Sequence, residues 1–336
     1  VTLSAIDVAA LRDFLTRSGV PVRGELRVDL ISGGRSNVTL KAYDDASAWI
    51  IRRPPTSGLT PSAHDVAREY TITSALLATT VPVARPVALD ADGSVFGVPM
   101  TIVEYVEGRV IRDQGDLSTL SDAEVESSTA ALVTVLADLH AVDYREVGLE
   151  KFGRPERFVT RQIKLWAAQW DRVKTRELPD AAKLYSALAD AAPPASAASI
   201  VHGDFRIDNT ILDAADPMIV RAVVDWEMST LGDPLTDAAL MCVYREPAFD
   251  LVLGAKAAWT SPRLPTADRL AQMYATASGN DLADWSFYLA LAYFKIGVIG
   301  EGITYRASQG SDVGSGANRA AEAAPEMMAA GLRAIM

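Results

Sequence analysis

Asp204, Asn209 and Asp225 stand in one short stretch, His202-Gly-Asp-Phe-Arg-Ile-Asp-Asn209 followed by Val223-Val-Asp-Trp-Glu227. An aspartate, an asparagine five residues on, and a second aspartate past the next strand are the groups a phosphoryl-transfer site uses, in that order. Such a reaction needs in-line positioning, neutralised phosphate charge and a group that takes the acceptor hydroxyl's proton. Asp204 is the candidate base. Asn209 offers a neutral oxygen and Asp225 an anionic one, a hard donor set that suits Mg²⁺. An isolated Asp-x₄-Asn is common. Here it gains weight from His202-Gly203 before it and from the branched apolar runs on either side. Those runs, Ile200-Val201, Thr210 to Leu212 and Ile219 to Val224, predict short strands. With three histidines widely separated in the chain, a histidine metal centre is poorly supported, so His202 is read as loop support. Asp233 before Pro234 is a helix cap, and Asp237 in the first turn is placed to steady the loop from behind.

The elements that must position these groups precede and follow them. Ser4 to Arg17 has helical apolar spacing with Ser4 placed to cap. Leu26 to Ile31 and Val38 to Tyr43 read as strands around Ser32-Gly-Gly-Arg-Ser-Asn37. Gly33, Gly34 and Ser36 are candidates to approach phosphates through their backbone, although a plain hairpin turn has the same composition. Ala48 to Arg53 is a third strand ending in two cations. Arg52 is the candidate phosphate cation, with Arg53 the less favoured choice. Glu69, on the helix expected over Asp65 to Leu77, is its partner. Val83 to Leu89 and Val98 to Val106 complete a small antiparallel sheet. Backbone groups of Glu104 and Val106 are the candidate purine contacts, and the lobe boundary falls after Val106.

The pattern predicts an α+β chain of two lobes: residues 1–106, a sheet with a leading helix that binds nucleotide, and residues 107–336, mainly helical, for catalysis and the acceptor. In the second lobe Val125, Leu132, Leu136 and Leu139 share one helix face, with His140 as a packed or hydrogen-bonded helix-end residue. Ile163, Trp166 and Trp170 share another, over Phe158 to Val173. Arg161, Lys164 and Arg306 are acceptor-side candidates. Ala267 to Ser278 and Asp284 to about Arg306 predict further helices, and the Gly/Ser-rich stretch Gln309 to Asn318 a mobile one.

The 336 residues carry a formal net charge of −11, which argues against a nucleic-acid or anionic-membrane surface. Cys242 is the single cysteine, so a reducing, cytoplasmic setting is expected. No signal peptide is recognised and no apolar run is expected to span a membrane, because Lys295 interrupts the longest, Phe287 to Gly300. The composition leaves the oligomeric state open.

His202-Gly-Asp-Phe-Arg-Ile-Asp-Asn209, Asp225-Trp-Glu227 and Gly232-Asp-Pro234 resemble the motifs of the aminoglycoside phosphotransferase/choline kinase family of kinase-like enzymes. Ile51-Arg-Arg-Pro-Pro55, Arg68-Glu-Tyr70, Val142-Asp-Tyr144, Val147-Gly-Leu149 and Phe152-Gly-Arg-Pro155 resemble the branch associated with acyl-CoA dehydrogenases. The resemblance implies a bilobal protein-kinase-like fold with ATP or GTP between the lobes, Asp204 as base, and Asn209 and Asp225 as Mg²⁺ ligands. It also implies a small-molecule hydroxyl acceptor, in this branch a hydroxyacyl-CoA, with an aminoglycoside as the alternative. Two departures stand out. Arg52 occupies the usual lysine position and is not a neutral swap; with the poor glycine loop it keeps a non-catalytic, nucleotide-binding reading in view. Trp226-Glu227 replaces Phe-Gly, so regulation through an activation loop is not expected. A metal-dependent phosphohydrolase using the same acids is the third reading.

Overall fold

The computed structural model describes residues 7–32, 37–54, 65–193, 198–310 and 316–336. Gly33, Gly34, Ser36 and Ser4 lie outside them, as does part of the stretch expected to be mobile. The chain divides into two compact units: Val1–Glu107 with Arg221–Glu227, and Gly108–Val220 with Met228–Met336.

In the first unit, helix α1 (Val8–Arg17) is capped by Asp7, whose side chain accepts from the Ala10 N–H. Strands β1 (Arg27–Ser32), β2 (Val38–Tyr43), β3 (Ala48–Arg53), β4 (Pro86–Asp90) and β5 (Met100–Glu104) form one antiparallel sheet. The order is β1-β2-β3-β5-β4. Helix α2 (Val66–Leu76) lies between β3 and β4 in sequence and is capped by Asp65. The strands alternate as a half-buried sheet should. Leu40, Trp49, Ile51, Met100 and Ile102 join Leu11 and Leu15 of α1 in one core. Alternation decides between the two cations of β3. Arg53 falls on the same side of the strand as Trp49 and Ile51, with its guanidinium 5.5 Å from the centroid of the Phe96 ring. Arg52 points to the opposite face.

The second unit is mainly helical. After the short α3 (Gln114–Leu117) comes α4 (Asp122–Ala141), which opens on a capping box between Ser121 and Glu124. Helices α5 (Phe158–Val173) and α6 (Pro179–Asp190) follow, then strands β6 (Ser199–Val201) and β7 (Thr210–Leu212). Strand β8 (Val220–Val223) straddles the division of the chain, and β9 (Thr230–Gly232) pairs antiparallel with β6. The sequence pattern predicts no strand at Thr230–Gly232. Three residues are too few for alternation to show, and only its pairing partner makes it a strand. Helices α7 (Pro234–Val243), α8 (Phe249–Leu253), α9 (Ala267–Ser278), α10 (Trp285–Ser308) and α11 (Ala324–Ile335) complete the unit.

Helix α10 packs against α5, α6, α7, α8 and α11. Its position corrects one expectation: despite Lys295, α10 is long and apolar enough to cross a membrane by length and composition, yet 72% of its most apolar window is buried inside the structure. A helix surrounded by other helices must be apolar on nearly all sides, which produces the same hydropathy.

Ile51 is fully buried one residue before Arg52, so the core of the first unit and the placement of that cation are tied together. Ile51→Ala is expected to cost about 2–5 kcal/mol of unfolding free energy, read by urea denaturation.

Candidate active site

The loop after β6 is built on a buried carboxylate. Asp237, in the first turn of α7, is 2% exposed. It accepts hydrogen bonds from the backbone N–H groups of His202 at 2.5 Å and Gly203 at 2.8 Å. His140, at the end of α4, places Nε2 3.4 Å from the same carboxylate and Nδ1 2.7 Å from the Tyr274 hydroxyl. Burial alone would raise the Asp237 carboxyl. The hydrogen bond from His140, the electrostatic interactions with both histidines and the Gly203 N–H outweigh it and hold the group below its ordinary value. His202 is fully buried, and its Nδ1 accepts from the Asp204 N–H at 3.2 Å. Gly203 adopts φ +83°, and a Cβ there would lie 2.7 Å from the Met228 carbonyl. Only glycine fits this turn without strain.

Asp204 emerges from the turn with both carboxylate oxygens engaged. The Tyr244 hydroxyl donates to Oδ1 at 2.5 Å. Burial, then the Asp204 charge, pushes the Tyr244 phenol well up, so it remains a donor. Arg206 Nη2 and Asn209 Nδ2 reach Oδ2 at 3.2 and 3.0 Å. Asn209 also donates to the Asp204 carbonyl at 2.8 Å. Every partner of that amide nitrogen is an acceptor, which fixes the amide orientation and turns its oxygen away from Asp204. The short 3₁₀ turn Ile207–Asn209 sets the spacing between Asp204 and Asn209.

The first unit holds Arg52, Glu69 and Asp225. Arg52 forks between Glu69 at 3.1 Å and Asp225 at 2.8 Å. Burial disfavours the guanidinium's charge, but the two carboxylates outweigh it and raise its pKa. Burial, opposed by Arg52, raises the Glu69 carboxyl, and Asn37 Nδ2 donates to Glu69 at 3.0 Å. Asp225 adopts φ +67°, a left-handed conformation that a non-glycine residue holds only when its surroundings impose it. Carboxylate oxygens of Glu69, Asp225 and Glu227 lie within 4.8 Å of one another. All are hard oxygen donors, so this cluster fits a divalent cation such as Mg²⁺ in ligand type, with Arg52 supplying positive charge beside it.

The remaining candidates separate. The Glu104 N–H donates to the Arg85 carbonyl at 2.8 Å, which commits that donor to the sheet edge, and Val106 follows in the segment after β5. Arg161 donates to the carbonyls of Arg154 and Glu156, clasping the chain before α5. Lys164 and Arg306 are exposed on α5 and α10. Sequence reading missed Tyr244, Arg206, Asn37 and Glu227 as site groups. Arg206 and Glu227 sit inside the motifs already singled out. Tyr244 lies 40 residues from Asp204, and no spacing signal connects the two.

Because the Asp237 carboxyl is depressed in the folded state, its contribution to stability is complete above its unfolded value, about 3.9, and is lost as pH falls through the lower folded value. Asp237→Ala leaves the His202 and Gly203 N–H groups without their acceptor. It is expected to cost about 3–5 kcal/mol near neutral pH, with the gap to wild type shrinking in acid, as measured by denaturant titration across a pH series.

Comparison with known proteins places the chain in a family. Residues 27–285 match the model of the Phosphotransferase enzyme family. A solved structure of a candidate aminoglycoside phosphotransferase from Ralstonia eutropha is similar along 98% of both chains, with 32% identity and a TM-score of 0.84. The aminoglycoside phosphotransferase APH(4)-Ia, solved with AMP-PNP and hygromycin B, shares the fold at 15% identity and a TM-score of 0.62, over 97% of this chain and 98% of its own. Acyl-CoA dehydrogenase family member 11 from Gallus gallus is 34% identical over 89% of this chain, and member 10 from Mus musculus is 32% identical over 87%. The chain spans 40% and 28% of those two relatives. With a kinase-like fold, an antiparallel sheet in one unit and helices in the other, the chain belongs to the phosphotransferase enzyme family.

Proposed function

We propose that the chain is a small-molecule kinase that moves the γ-phosphate of ATP or GTP to a hydroxyl, with Asp204 as the base. The observation that carries this reading is the state of Asp204: ionisable, partly open, and locked by Tyr244, Arg206 and Asn209 on a turn that Asp237 pins. A carboxylate held in this way has one rotamer available when the acceptor hydroxyl arrives, and it accepts the proton as the hydroxyl oxygen bonds to phosphorus. Asn209 and Asp225 would hold Mg²⁺, which when bound neutralises phosphate charge. Arg52, fixed by Glu69, offers a planar fork to phosphate oxygens. Residues 1–106 would serve the nucleotide, with Gly33, Gly34, Ser36, Glu104 and Val106 as contacts, and residues 107–336 the acceptor. His202 and Asp237 would support the loop. A reducing, cytoplasmic setting is part of the same reading, consistent with the buried thiol of Cys242, which burial pushes up to about 12.

For the acceptor we favour a hydroxyacyl-CoA, since relatives covering most of this chain are acyl-CoA dehydrogenase family members. An amino sugar is the second reading, supported by the Ralstonia eutropha protein. A mass-shift screen with Mg·ATP and Mg·GTP against hydroxyacyl-CoAs, amino sugars and amino alcohols decides between them. Gain of one phosphoryl mass on the thioester is expected, and gain on amino sugars alone would reverse the order. Asp204→Ala is expected to lower kcat by about 10²–10⁴-fold while calorimetric binding of Mg·nucleotide stays within a few-fold of wild type. Transfer at the wild-type rate would remove Asp204 from the mechanism.

A further inference from the structure

One charged side chain against the loop has no part in the groups described so far. Lys295 lies midway along α10, within a run that is otherwise apolar from Phe287 to Gly300. Its Nζ donates to the Gly203 carbonyl, one residue before Asp204, at 2.7 Å. It also sits 5.6 Å from the centroid of the Trp166 ring on α5. Among the described residues no carboxylate stands within ion-pair distance of it. Burial lowers the Lys295 pKa, while the charges of Asp204 and Asp237 act the other way.

An ammonium in such a place is costly, and a hydrophobic side chain of the same length would pack α10 without that cost. The Gly203 carbonyl does not account for the whole ammonium, because it takes only one of its three N–H donors. Lys295 and Trp166 are both only half-buried, so the remaining donors and one aromatic wall can meet a ligand beside Asp204. A second cation, Arg206, holds Asp204 Oδ2 and, through Nε, Asp208 at 3.2 Å, and it lies 5.3 Å from the Tyr244 ring centroid. An acceptor approaching Asp204 therefore meets Lys295 and Arg206 together. The ammonium of Lys295, which has no carboxylate at ion-pair distance among the described residues, repels a protonated amine and attracts an oxygen.

We propose that Lys295 is a specificity-determining residue on the acceptor side: its ammonium binds a carbonyl or carboxylate oxygen of a hydroxy acid derivative, and it disfavours polycationic amino sugars. Trp166 forms the adjoining wall. This rests on the acceptor reading given above and assigns it a recognition group.

The test compares wild type with Lys295→Met, close in length and uncharged, and with Lys295→Arg. The probes are a 4-hydroxyacyl-CoA and kanamycin, each followed by steady-state transfer and by calorimetry, with melting curves to confirm folding. Lys295→Met is expected to raise the Kd and KM of the 4-hydroxyacyl-CoA by about 10- to 100-fold, the loss of one charge-assisted hydrogen bond. The Kd of Mg·ATP should stay within about twofold and kanamycin should bind more tightly. Lys295→Arg should recover part of the thioester affinity. A fall in kcat at unchanged acceptor KM would show that Lys295 only props the Gly203 carbonyl and would overturn the assignment, as would wild-type constants in Lys295→Met. In both cases turnover of the thioester by wild type would leave the hydroxyacyl reading standing. Wild type that binds kanamycin alone, or neither probe, would overturn that reading and the assignment with it.

Discussion

The loop that carries Asp204 depends on a carboxylate that has no water to turn to. Asp237 is buried, and a buried charge must be met by protein donors or be neutralised. Two successive N–H groups, of His202 and Gly203, meet it, and this forces the chain through the left-handed turn at Gly203. The β6–β9 pairing supplies the other side of the constraint, bringing Met228 so close to Gly203 that no side chain fits. Once the turn is fixed, the direction of Asp204 follows. Tyr244, Arg206 and Asn209 then remove its remaining freedom.

The first unit solves a similar problem with opposite charges. Glu69 and Asp225 are brought close together, and Arg52 between them offsets part of their mutual repulsion. The backbone at Asp225 is held in a sparsely populated conformation, a cost that a merely structural turn avoids by using glycine. Arginine in place of the usual lysine suits this arrangement, because a planar fork can address two carboxylates at once.

Shared fold does not decide the acceptor. Proteins whose names mention hygromycin B, macrolides or acyl-CoA dehydrogenation all align with this chain over most of its length. What distinguishes such proteins chemically is the set of charges around the base. Here Arg206 and Lys295 bring positive charge beside the acids Asp204, Asp208 and Asp237, in a chain whose net charge is −11. Whole-chain charge is therefore a poor guide to one site, since a local field is set by groups within a few ångströms.

Local rules determined much of this protein in advance. The alternation of β2 and β3, the cap at Asp233, and the order Arg52, Glu69, Asp204, Asn209, Asp225 are short-range or ordered features that a linear pattern records. The same holds for the membership that residues 27–285 establish. Tertiary structure alone decided which groups meet across long separations: Tyr244 with Asp204, Asn37 with Glu69, Lys295 with Gly203. It also made β9 a strand and showed that the apolar α10 is covered by other helices. The physical reason is the same in each case. A hydrogen bond or a buried face is completed by a partner whose distance along the chain is arbitrary, so the partner leaves no periodic trace in the sequence.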